Sequence, residues 1–124
     1  MDRATVLYDE DCGFCRWAAD RLRAWDRRDR LAFTSIQGVD GARLLASMDH
    51  AGRLASWHVV GPGGELRSAG AAVPVVLRRL PGGAPLAAMS DTFPRTTERL
   101  YRWTVRHRAR LGRMLGQCAC AVHP

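Results

Sequence analysis

Lysine is absent from the chain: all 19 basic residues are arginine. That uniformity reads as codon bias rather than as chemistry. No stretch approaches the roughly 18 consecutive apolar residues that a membrane-spanning helix needs. The N-terminus passes from Asp2 and Arg3 straight into a short apolar run, with no basic segment followed by a long apolar one. No secretory signal peptide is therefore expected, and the expected compartment is the cytoplasm, where thiols are kept reduced. Internal repeats and low-complexity tracts are missing too. Acid is scarce at one end only. Residues 1–94 hold 12 arginines against 11 acids, whereas residues 95–124 hold seven arginines against Glu98 alone. Of the net charge of +7, +6 thus belongs to the last segment and only +1 to the rest of the chain. With 124 residues, 47% apolar and 25% charged, the sequence is that of one globular domain able to bury a real core.

Four cysteines are present, and two of them carry the strongest signal. The apolar run Thr5-Val6-Leu7-Tyr8 is followed by Asp9-Glu10-Asp11-Cys12-Gly13-Phe14-Cys15 and then by a helical pattern. A C-x-x-C pair between a strand and a helix places a sulfur against unpaired backbone N–H groups and the positive end of the helix dipole. Both favour thiolate, the nucleophilic form. Cys12, at the junction, is expected to be the more exposed and the attacking thiol. Cys15, one turn later, is expected to be more buried and to resolve a mixed disulfide. The competing reading is half of a zinc site. Its other half would come from Cys118, Cys120 and His123, although C-x-C is tight spacing for two ligands. The tail cysteines also read as ordinary thiols of a terminal segment, or as a second redox pair relaying to Cys12.

The remaining pattern fixes an order of elements. Cys15, Ala18, Leu22 and Trp25 recur at helical spacing within a helix expected from Phe14 to about Asp29. Leu31–Ile36 reads as a second strand. Asp40 is placed to cap a short helix through Leu44, Leu45 and Met48. Ser56–Val60 and Glu65–Ser68 read as strands of a hairpin closed by Gly61-Pro62-Gly63-Gly64. Ala71–Leu80 is helical with Pro74 in its first turn. Residues 81–85 read as a connector, and Pro94 opens a last helix to about Leu115. The first two strands, joined through a helix, should be parallel, with the hairpin adding antiparallel partners. This is a mixed four-stranded sheet flanked by helices, an α/β thioredoxin-like arrangement. It would occupy residues 1–116, with a Cys-containing tail at 117–124.

Among other polar residues, Asp11 is expected to cap the first helix, and Asp9 either to be structural or to move a proton for the cysteines. His58, mid-strand, is expected to be structural; His50 and His107 have no evident partner. In the last helix, Arg95, Arg99, Arg102, Arg106, Arg110 and Arg113 fall within an arc of about 80° at 100° per residue. Leu100, Trp103, His107, Leu111 and Met114 form another face, expected to point toward the domain. The arginine stripe reads as a solvated face, as a peripheral membrane contact, or as a site for an acidic partner. Nucleic acid is not expected, because no recognition motif accompanies the stripe.

The stretch Tyr8-Asp9-Glu10-Asp11-Cys12-Gly13-Phe14-Cys15 resembles the signature of the DCC family of thiol-disulfide oxidoreductases. The following helix, the 59–68 hairpin and the arginine-rich helix around Tyr101-Arg102-Trp103 extend that resemblance over nearly the whole chain. It implies a thioredoxin-like fold, an oxidoreductase, and Asp9, Cys12 and Cys15 as the signature residues. The resemblance does not imply a substrate; the dithiol itself leads to the expectation of a disulfide-containing protein or a small thiol substrate, with no cofactor and no resident metal. Two departures stand out. Glu10 replaces the usual glycine and adds an acid near Cys12. The segment before the third strand, residues 52–57, lacks the proline of thioredoxins proper. Net activation of Cys12 is still expected, because N–H groups touch the sulfur while the acids can turn to water.

Overall fold

A computed structural model describes residues 3–116, apart from the side chain of His50. The tail with Cys118, Cys120 and His123 lies outside the described residues. In chain order the elements are β1 (Ala4–Tyr8), α1 (Gly13–Trp25), β2 (Leu31–Ser35), α2 (Val39–Leu44), α3 (His50–Ala55), β3 (His58–Val60) and β4 (Leu66–Ser68). A 3₁₀ turn at Ala69–Ala72 leads into α4 (Val73–Arg79), α5 (Ala84–Thr92), α6 (Pro94–Arg106) and α7 (Arg108–Met114). The sheet order is β2-β1-β3-β4. β1 and β2 are parallel, pairing Ala4 with Leu31 and Tyr8 with Ser35. β3 runs antiparallel to both β1 and β4. This is the mixed four-stranded, thioredoxin-like α/β architecture.

β1 is central, so both its faces are buried. Val6 and Leu7 are 1% and 0% exposed, on opposite sides of the pleat. On one side Ala4, Val6, Leu31 and Val59 pack with Val76 and Leu80, joined by Leu22, Trp25 and Trp57. On the other, Leu7 and Ile36 meet Leu45, with Leu44, Met48 and Leu54 around them. The hairpin turn closes through Gly61 N–H on the Glu65 carbonyl, and Gly64 takes a φ of +90°, a backbone shape glycine adopts without strain.

Several boundaries differ from expectation for identifiable reasons. α1 stops at Trp25 rather than near Asp29. The Asp26 carboxylate accepts from the N–H groups of Arg30 and Leu31 (2.9 and 3.0 Å) and turns the chain into β2. α2 is capped by Gly38, with Asp40 inside its first turn and paired to Arg43 at 3.2 Å. α3 had no expected counterpart; Asp49 caps it, accepting from Gly52 N–H at 2.8 Å. α5 occupies part of the expected connector and the residues after it. Pro85 sits in its first turn, where no N–H is required, and Ala87 is fully buried. The single long C-terminal helix is broken at His107. There the Thr104 hydroxyl donates to the Leu100 carbonyl and His107 Nδ1 lies 2.8 Å from the Trp103 carbonyl, so side chains compete for the helical acceptors. Among the described residues no helix is long and apolar enough to cross a membrane.

His58 is structural. It is fully buried, with Nε2 donating to the Arg53 carbonyl at 2.9 Å, which leaves Nδ1 to accept from the Ser68 hydroxyl at 2.6 Å. Burial lowers its pKa from the ordinary 6.5. The unfolded chain therefore binds the proton first. The His58 contribution is complete above about pH 6.5 and declines as pH falls below it. Urea midpoints should drop between pH 7 and 5.5 in the native chain, and drop less in His58→Gln. An equal drop in both would show that His58 does not carry this dependence.

Candidate active site

The Asp9–Asp11 turn is built on side chains from β1's end and from the link after β2. Asp9 Oδ1 accepts from Asp11 N–H (3.0 Å) and from the Gln37 amide (2.6 Å), while Gln37 Oε1 accepts from Glu10 N–H (3.1 Å). Arg16 closes the other side, donating to the Glu10 carbonyl at 2.6 Å. Asp11 therefore does not cap α1. Cys12 itself is the cap, its sulfur accepting from Cys15 N–H at 3.3 Å. The backbone N–H of Cys12 donates to the Asp9 carbonyl at 3.2 Å.

The exposures of the two cysteines are the reverse of those expected. Cys12 is 2% exposed and Cys15 is half-buried. The turn drawn in against Gln37 sinks Cys12, whereas Cys15 faces a cavity. Both are free thiols. Cys12 is nevertheless the acid of the pair, its pKa lowered to about 6. The first cause is a hydrogen bond from the Cys15 thiol to the Cys12 sulfur. Burial opposes it; the Cys15 backbone N–H and the charge of Arg108 assist, and the charge of Asp9 resists. The Cys15 thiol is pushed far above its ordinary range, because ionising it would forfeit that donor, and burial and the Cys12 charge add to the effect. One sulfur is held as an anion and its neighbour as the proton donor.

Arg108 supplies this site with a charge that the C-x-x-C motif does not reveal. It reaches across from the start of α7, Nη1 lying 3.9 Å from Cys15 Sγ. Its signal was readable: alone among the seven C-terminal arginines it falls off the stripe, near the opposite side of the helix at 100° per residue. The same side carries Tyr101, Thr104 and Val105, and it is this side that meets the domain. The expected apolar face does not: Leu100, Trp103 and Met114 are 64%, 48% and 75% exposed. Polar anchors decide the orientation. The Tyr101 hydroxyl accepts from Trp57 N–H at 2.8 Å, and Glu98 accepts from Gly70 N–H at 2.9 Å. Gly112 lets α7 approach α1 so closely that a Cβ there would stand 3.3 Å from Phe14 N. Burial raises the Tyr101 pKa to about 12, so its hydroxyl stays protonated.

A cavity of about 370 Å³ opens beside the pair. Its floor is β1 with the segment leading into β3, its walls α1 and α6, and its sulfur-bearing end holds Cys15, Asp9 and Arg108. No proline and no cis peptide bond stands at Ser56-Trp57, beside this cavity. Among the described residues no cluster of three or more His, Cys, Asp or Glu side chains is arranged to hold a metal ion.

A four-stranded thioredoxin-like sheet with a thiolate capping the helix after its central strand is the architecture of a thiol-redox protein. Residues 6–114 match the DCC1-like thiol-disulfide oxidoreductase family, and the chain belongs to that family. No curated protein and no solved structure matches it significantly.

Proposed function

We propose that the protein is a cytoplasmic enzyme that exchanges its Cys12/Cys15 dithiol for a disulfide of its substrate. Cys12 thiolate attacks one substrate sulfur, forming a mixed disulfide and expelling the other half as a thiolate. The expelled thiolate takes the Cys15 proton. Cys15 sulfur then attacks Cys12 sulfur, closing the protein disulfide and releasing the second half. The substrate gains two electrons and the protein loses two; a thiol of the glutathione class restores the dithiol. Asp9, beside both sulfurs and bonded to Gln37, is the residue we assign to proton movement during release.

The observation that carries this reading is the division of labour between the sulfurs. Cys12 caps α1, its sulfur accepting from the Cys15 N–H at 3.3 Å, and its pKa is lowered, while the Cys15 thiol one turn later is kept protonated. The test is a thiol titration of the chain in defined mixtures of reduced and oxidised glutathione. Two thiols should disappear together in the native chain, within the range of cellular poise. A pair that stays reduced throughout that range rejects the reading, as does one zinc retained per reduced chain and lost with Cys118→Ser.

A second reading concerns α6 and α7, and rests on the exposed Leu100, Trp103 and Met114 beside the arginine stripe. Arginine next to outward-facing Leu, Trp and Met is the composition of a helix that lies on an anionic lipid surface. Vesicles containing phosphatidylserine should sediment the protein at low salt, release it as salt rises, and fail to retain Leu100→Ser/Trp103→Ser. Binding unchanged by that double substitution would leave only nonspecific charge attraction.

A further inference from the structure

The cavity at the sulfurs is unusual in what surrounds it. Phe14, Trp17 and Trp25 come from α1, Trp57 from the segment before β3, and Tyr101 from α6. Three of the chain's four tryptophans face it. Phe14 and Trp17 stack at 5.9 Å, and Trp57 and Tyr101 at 6.2 Å. Three of the polar ring ends are already occupied. Trp25 Nε1 donates to the Pro81 carbonyl, Trp57 Nε1 to the Ala69 carbonyl, and the Tyr101 hydroxyl meets Trp57 N–H. The walls therefore present ring faces and edges, with Arg108, Asp9 and Cys15 gathered at one end. The volume falls in the range of small-molecule sites.

The same contacts argue against a polypeptide. An extended chain entering an apolar cavity would bring backbone N–H and C=O groups that find no partners there. Backbone pairing at the nearest strand segment is also pre-empted. Trp57 N–H is taken by Tyr101, and the Trp57 carbonyl accepts from the Ser56 hydroxyl at 3.0 Å and from Ala69 N–H at 3.3 Å. Finally, a Cys12 sulfur only 2% exposed gives little purchase to a bulky disulfide arriving from solvent. The cavity is lined by Cys15 and not by Cys12, so a small molecule seated in it lies against Cys15, one helical turn from the attacking sulfur.

We infer that the substrate of the Cys12/Cys15 pair is a low-molecular-weight disulfide with an apolar, aromatic or alkyl, body that seats between α1 and α6. This rests on the exchange chemistry proposed above and adds a substrate class to it. The reaction is the same: one S–S bond of the small disulfide is broken, two small thiols form, and the Cys12–Cys15 disulfide is made.

Two measurements test it. The first is independent of turnover. Diphenyl sulfide, a thioether that cannot undergo exchange, should quench tryptophan fluorescence of the reduced chain saturably. The quenching should be lost when the cavity is plugged by Ala18→Phe from α1 or, as a second plug, Thr104→Phe from α6. The second compares turnover of 2,2′-dithiodipyridine and glutathione disulfide. The ratio of their rates should fall at least tenfold in any plugged variant whose circular dichroism is native. Absence of saturable quenching, or an unchanged ratio in both folded variants, overturns the substrate assignment alone. A chain that binds diphenyl sulfide but reduces neither disulfide overturns the exchange chemistry and the substrate assignment with it, leaving only a ligand cavity.

Discussion

A Cys12→Ser chain should lose disulfide reduction by a factor on the order of 10³ or more, because a serine hydroxyl stays protonated at neutral pH and cannot replace the thiolate. The Cys15→Ser chain should fail differently. Its Cys12 still attacks, but no second sulfur releases the bound half. Incubated with a disulfide, it should accumulate a one-to-one mixed disulfide on Cys12, visible as a mass increase equal to half the substrate. Cys12→Ser should form the corresponding adduct on Cys15 more slowly, because burial still raises the Cys15 pKa once the Cys12 contributions are gone. An adduct that forms preferentially on Cys15 would reverse the assigned roles.

The pH dependence of Cys12 alkylation should show the second large effect. In the native chain, the iodoacetamide rate should rise with a midpoint near pH 6. Cys15→Ala removes the leading cause of that acidity, and the midpoint should move up toward the ordinary 8.5. At pH 6.5 the rate then falls on the order of tenfold or more, since only thiolate reacts. Arg108→Gln should move the midpoint in the same direction but less far, because the Arg108 charge ranks below the hydrogen bonds. Asp9→Asn should move it down, removing a charge that opposes the thiolate. A native midpoint at or above 8.5, or one that Cys15→Ala leaves in place, contradicts the hydrogen-bonded pair.

The chain's own pattern discloses the frame better than the site. β1, β2, the hairpin and the helix after Cys12 all follow from runs whose periodicity and turn residues agree with their final burial. α5 escaped because Pro85 inside a Pro/Gly-rich stretch reads as a break, although proline at a helix start costs nothing. Hydrophobicity alone points to the wrong buried side of α6. Tyr101, Glu98 and Gly112 outweigh Leu100 and Trp103 through two backbone partners and one close approach, none of which has a periodic signature. Gln37 and Arg108 reach the site from 25 and 96 positions beyond Cys12, so only the fold brings them together.

The capping role of the Cys12 sulfur bears on which way electrons prefer to flow. As an anion that sulfur closes the first turn of α1 and receives both an N–H and an S–H. Tied into a disulfide, it carries no charge and Cys15 has no proton to give. The reduced protein therefore holds stabilising interactions that the oxidised protein lacks. The couple should then have a higher reduction potential than a dithiol whose sulfurs titrate normally. By the same difference, the disulfide form should be the one that melts first.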